Sequence, residues 1–135
     1  MKTFDVQSIG LDVPAATAFA FIADAARLPS WTSAFATVAG GRAKMRTPQG
    51  EVEVGLTVEA SSGQGTIDWR MAFPDGSVAT AFSRVVPIDT GRSVFAFVLT
   101  PPPVPLERME GALAQQSVTL AEELRKLKRL LEHDE

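Results

Sequence analysis

Cysteine is absent from this 135-residue chain, so it has no disulfide framework, thiolate nucleophile or thiolate metal site. Histidine occurs once, as His133, beyond the last apolar position of a helical run. A general base must be held within hydrogen-bond reach of its substrate, which a fraying terminus does not provide. Ser-His and Cys-His nucleophilic sites therefore lack a base, and no catalytic residue is assigned. Positive charge is sparse as well: the net charge is -3, and the basic residues are scattered except for Arg125, Lys126, Lys128 and Arg129. Phosphate binding needs a concentrated basic face, which argues against a nucleic-acid partner. The small cluster reads as a solvated face whose cations suit a helix C-terminus. No apolar run approaches the roughly 18 residues of a membrane span, so no stable membrane insertion is expected. The start, Met1 to Asp5, joins no basic segment to an apolar one. The chain reads as soluble and unprocessed, and the lack of cysteine fits a cytoplasmic location. Glu51, Glu53 and Glu59 are strung along a strand instead of clustered, so neither a metal nor a cofactor is expected.

What is present is a sheet followed by one long helix. Phe4 to Asp12 alternates at Phe4 and Val6, then resumes shifted at Ile9, Leu11 and Val13, which predicts a strand with a bulge near Ser8 or Gly10. Asp12 to Asp24 predicts a short helix, with Pro14 in its first turn and Ala15, Ala18, Phe19 and Ile22 on one face. Ala25 to Thr32 predicts another turn or two of helix broken by Pro29. Turn signals then recur about every ten residues, at Gly40-Gly41, Pro48 to Gly50, Ser62 to Gly65, Pro74 to Gly76 and Asp89 to Gly91. Such spacing predicts antiparallel hairpins. Val52, Val54, Leu56 and Val58 form one buried face, and Ile67, Trp69, Met71 and Phe73 another. Asp68 and Arg70 read as a surface pair on the opposite side. In Ser77 to Val86, Val78, Thr80, Phe82 and Arg84 share a face against small Ala79, Ala81 and Ser83. Arg92 to Thr100 is apolar on both sides, leaving its phase open. After the Pro-rich hinge Thr100 to Pro105, Leu106, Met109, Leu113, Leu120, Leu124, Leu127 and Leu131 recur at helical spacing to Leu131, with Gln116 in the gap. Strands and helices are segregated, which makes this an α+β chain of one domain, residues 1–135.

The segments Ile9-Gly10-Leu11-Asp12-Val13-Pro14-Ala15, Ala18 to Asp24 and Leu28-Pro29-Ser30-Trp31, with the ending Leu124 to Glu132, resemble the START-like (SRPBCC) superfamily. The closer likeness is to its polyketide cyclase/dehydrase and lipid-transport group. That resemblance implies a helix-grip fold: a curved antiparallel sheet of about six or seven strands around the C-terminal helix, with two short helices after strand 1. It also implies a cavity for apolar molecules between sheet and helix. Members include lipid carriers, aromatase/cyclases and chaperone co-activators, so the fold leaves function open. Tyrosine is absent, which counts against the steroid-isomerase-like cone, as does the element order.

The expected function is binding or transport of a small hydrophobic ligand, lipid- or polyketide-like, gated by the hinge and by Asp24 to Trp31. The alternatives are a cyclase/dehydratase that works by shaping its substrate, and a non-catalytic co-chaperone-like interaction domain. The candidate ligand-binding residues are Trp31, Val54, Leu56, Trp69, Met71, Phe82, Arg84, Met109, Leu113 and Gln116. Trp69, Met71, Phe82, Met109 and Leu113 are large and adaptable, while Gly111, Ala112 and Ala114 thin the front of the helix. Arg84, if its face is concave, would offer fixed donors to a carboxylate, phosphate or enolate oxygen; the plainer and favoured reading places it at the sheet margin, snorkelling to water or paired with an Asp. Gln116 would orient a ligand or bond a backbone group. The protein is expected to be a monomer or homodimer.

Overall fold

A computed structural model describes residues 4–47, 50–99 and 106–133, and the side chains of all of these except 47, 99, 106–117 and 133. The chain runs β1 (Asp5–Leu11), α1 (Ala15–Ile22), a 3-10 turn (Ala25–Arg27), α2 (Leu28–Trp31), β2 (Phe35–Ala39), β3 (Arg42–Thr47), β4 (Gly50–Ser61), β5 (Thr66–Ala72), β6 (Val78–Asp89), β7 (Arg92–Leu99) and α3 (Leu106–His133). The seven strands form one antiparallel sheet in the order β1-β7-β6-β5-β4-β3-β2. This is the α+β, helix-grip architecture expected of the sequence. β2 to β7 form a meander, and β1 returns to pair with β7.

One small set of helices reaches both edges of the sheet. α3 packs on β1 at one edge, α2 packs on β2 at the other, and α2 also touches α3. Leu120, Leu124, Leu127 and Leu131 are all buried, so the rear of α3 buries the leucine stripe that its spacing predicted. Lys128 on the same helix donates to the Gly10 carbonyl at 2.9 Å and pairs with Glu132, which accepts from the Asp12 N–H at 2.8 Å. Lys128 is therefore a strut to β1 rather than part of a free basic face.

Three local expectations are corrected. β1 carries no bulge, since its register with β7 is unbroken from Asp5 opposite Leu99 to Leu11 opposite Ser93. Exposed Phe4 and Val6 lie on the outer face, and their hydrophobicity suggested a phase that the strand does not have. Pro29 lies in the first turn of α2 and helps to start it, because a first-turn residue needs no N–H donor. Arg70 pairs with Glu59 across the β4–β5 ladder, not with Asp68.

Glu123 of α3 holds the connection after α2. Its carboxylate accepts from the Ser33 N–H at 2.5 Å, while Arg46 of β3 donates to the Ser33 carbonyl at 2.9 Å. Burial pushes the Glu123 carboxyl above its ordinary range, against the opposing pull of the Ser33 hydrogen bonds and Lys126. The folded state then binds the proton more readily than the unfolded chain. The stability this group contributes is full below the unfolded carboxylate range and is lost as pH rises through the folded value. Glu123→Gln keeps an oxygen for Ser33 and removes the buried charge. Melts at neutral pH are expected to place Glu123→Gln at or above the wild type, with the gap closing as pH falls into the carboxylate range. Equal destabilisation at both pH values would contradict this account.

Candidate functional site

Side chains alternate across a strand, so the ladder registers define one inner face. On β5 and β6, Ile67 lies opposite Ser83, Trp69 opposite Ala81 and Met71 opposite Ala79. On β7, Phe97 lies opposite Ser83 and Phe95 opposite Val85. The Trp69 and Phe97 rings stack with centroids 5.7 Å apart and planes at 28°. Because β6 runs between their strands, the two rings meet over the small inner side chains of β6. A large residue at position 81 or 83 would keep them apart. Phe97 meets Phe95 edge-on at 6.2 Å, and Phe95 meets Trp31 of α2 at 6.3 Å and 87°. An aromatic ribbon thus runs from β5 across β7 to α2, in edge-to-face and offset geometries that add to simple burial.

Of the candidate residues, Trp31, Val54, Leu56, Trp69 and Met71 are all buried in one core cluster, with Leu56 opposite Met71 in the β4–β5 ladder. Phe82 and Arg84 are not part of it. The inner face of β6 is the small one, Ala79, Ala81, Ser83 and Val85, while Phe82 is 44% exposed and Arg84 lies on the outer face. The Arg84 Nε donates to the Gln64 carbonyl at 3.2 Å, in the turn before β5. The physical reason for the reversal is the neighbours: rings from β5 and β7 cover the small side of β6, so its bulky side is left outside. The side chains of Met109, Leu113 and Gln116 lie outside the described residues, as does the hinge 100–105.

Two inner-face polar residues escaped the sequence reading. Asp5 is 5% exposed and accepts from Gln7 Nε2 at 2.6 Å. Gln7 lies opposite Phe97, so this pair sits at the β1 edge of the aromatic ribbon. Asp5 and Gln7 alternate in phase with Ile9 and Leu11, and a bulge-free reading of β1 would have turned all four inward. The other buried polar side chains bond backbone: Ser83 Oγ donates to the Ile67 carbonyl at 2.6 Å, and Ser93 Oγ to the Val13 carbonyl at 3.0 Å. By contrast, the indole nitrogens of Trp31 and Trp69 are buried with no acceptor among the described residues. Among those residues no group of carboxylates and histidines converges as a metal site, and no helix is long and apolar enough to cross a membrane.

An open antiparallel sheet closed by a terminal helix, with an aromatic inner face, is the arrangement of the START-like superfamily. Residues 6–132 match the family described as polyketide cyclase / dehydrase and lipid transport, and the chain belongs to it. No curated protein matches the chain. Among solved structures, it is similar to the protein XoxI from Bacillus cereus, with 12% identity, a TM-score of 0.71 and 96% of each chain covered. A START superfamily protein from Mycobacterium smegmatis aligns at 12% identity and a TM-score of 0.65, over 95% of this chain and 98% of that one. The Zhui aromatase/cyclase from Streptomyces aligns at 12% identity and a TM-score of 0.65, over 95% and 94%. At such identities the likeness is one of fold.

Proposed function

We propose that this protein binds or carries a small hydrophobic molecule, lipid- or polyketide-like, between the inner face of the sheet and the front half of α3. The observation that carries the reading is the ribbon Trp69–Phe97–Phe95–Trp31, a broad apolar surface next to small Ala79 and Ala81. Family membership adds support, since lipid transport and polyketide chemistry are what the family is described by. A carrier is preferred to a cyclase or dehydratase because Arg84, the residue considered as a donor to a substrate oxygen, faces away from the ribbon. The inner hydroxyls of Ser83 and Ser93 are spent on backbone carbonyls. In this reading the partner is a small apolar molecule, and the protein works in the cytoplasm as a monomer or homodimer.

The purified protein is expected to release lipid or polyketide-like material in denaturing mass spectrometry. After delipidation it should take up 1-anilinonaphthalene-8-sulfonate and release it when the extracted material is returned. Protein that carries nothing extractable and takes up no dye would end the reading.

A further inference from the structure

A buried donor with no acceptor is costly, because folding removes it from water and returns nothing. Buried polar groups nearly always have partners, and here Ser83, Ser93 and Asp5 follow that rule. Trp69 Nε1 has no such partner among the described residues, and it lies on the inner face of the sheet. The residue is 3% exposed, its ring is stacked on Phe97, and it lies on the same inner face as the polar pair Asp5–Gln7. Trp31 also has an unpartnered nitrogen, but it sits in the seam where α2 meets Phe95.

We propose that the Trp69 indole N–H is the orienting donor of the site, taking the carbonyl or similar oxygen of a flat apolar ligand that lies along the Trp69–Phe97 stack. This rests on the carrier reading and adds a polar requirement to it. An apolar body alone would satisfy the ribbon, whereas an oxygen acceptor would also give Trp69 Nε1 the bond it lacks among the described residues. The nitrogen is covered in the structure described, so a ligand oxygen gains it only by displacing what covers it. The preference is thus one of bound-state geometry, read at equilibrium.

Two probes of nearly equal shape isolate the oxygen: 2-acetylnaphthalene and 2-ethylnaphthalene. One hydrogen bond to a neutral acceptor is expected to favour the ketone by about three- to tenfold in Kd. The chain has two tryptophans, so its nitrogen–proton spectrum holds two indole signals, and Trp31 serves as the internal reference. The ketone should move the Trp69 indole proton downfield, and the hydrocarbon should not. Trp69→Phe keeps a ring against Phe97 and should bind both probes alike, near the hydrocarbon's affinity for wild type. The wild-type comparison needs no variant, so a folding defect in Trp69→Phe leaves the test intact. Equal binding of the two probes by wild type would overturn the inference and leave the carrier reading standing. So would a ketone preference that survives Trp69→Phe, or a shift at Trp31 instead. Failure of both probes to bind would overturn the inference, while the carrier reading would stand or fall by the extraction and the dye uptake.

Discussion

Replacing Gly65 by alanine is expected to lower stability by about 3 kcal/mol or more, seen as a fall in Tm on the order of 10 °C. Gly65 closes the turn between β4 and β5 at φ +75°, a left-handed conformation that costs a residue with a Cβ about 1–2 kcal/mol. Space is the larger problem. A Cβ there would stand 2.3 Å from the Val85 carbonyl oxygen, and a backbone atom cannot swing aside as a side-chain tip does. Relief would have to come from separating the turn from β6. That movement breaks the bond from the Val85 N–H to the Gly65 carbonyl, 2.8 Å long, where β5 and β6 begin to pair. Val85 is itself buried opposite Phe95, so the disturbance enters the aromatic face directly. Gly63 is the control in the same turn. Its φ is not left-handed and a Cβ there meets nothing within 4 Å, so Gly63→Ala should be neutral or stabilising by up to about 1 kcal/mol. Thermal melts of the two variants separate the explanations: equal losses would mean that general turn rigidity matters, not the approach of Val85.

The turn between β4 and β5 also illustrates what sequence reading reaches. Ser62 to Gly65 marks a reversal through its composition, but both glycines look alike, and only the path of β6 makes one indispensable. The same limit governs the faces. β4 and β5 were legible because polar Glu53, Thr57, Glu59, Asp68 and Arg70 alternate with apolar residues, and one side of each strand faces water. The rear of α3 was legible through its leucine spacing. β6 misled because burial in a sheet is set by neighbouring strands as well as by a residue's own size. Ala81 and Ser83 are inside because Trp69 and Phe97 reach over them, and that pairing is three-dimensional information. Val6, Val98 and Phe82 share one outer row by register, so the outer face near β1 is unusually apolar and the alternation loses contrast there. Asp5 escaped notice for a related reason, since a carboxylate near the start of a strand is ordinarily assigned to solvent.

Phe95→Ala is expected to be the most damaging side-chain truncation on β7, costing about 3–5 kcal/mol. That is a large share of the roughly 5–15 kcal/mol that holds a domain of this kind folded. Phe95 is fully buried and touches both Trp31 and Phe97, so it joins the sheet's aromatic surface to α2. Its loss leaves a cavity between a strand and a helix held by separate anchors. Leu28 and Trp31 fix α2, the Val85 and Ile9 pairings fix β7, and neither can collapse inward without giving up its own contacts. Urea unfolding should therefore show a lower midpoint with an unchanged slope, the pattern of a destabilised but still compact native state. Phe95→Leu refills most of the volume and should recover more than half of the loss. Val94 and Val98 alternate with Phe95 and face outward, so truncating either to alanine should cost under about 1 kcal/mol. This contrast assigns the phase that the run Arg92 to Thr100 left open, because both of its faces are apolar. If Val94→Ala and Phe95→Ala proved equally costly, β7 would be buried on both sides. The ribbon from Trp69 to Trp31 would then no longer mark which side of β7 faces the core.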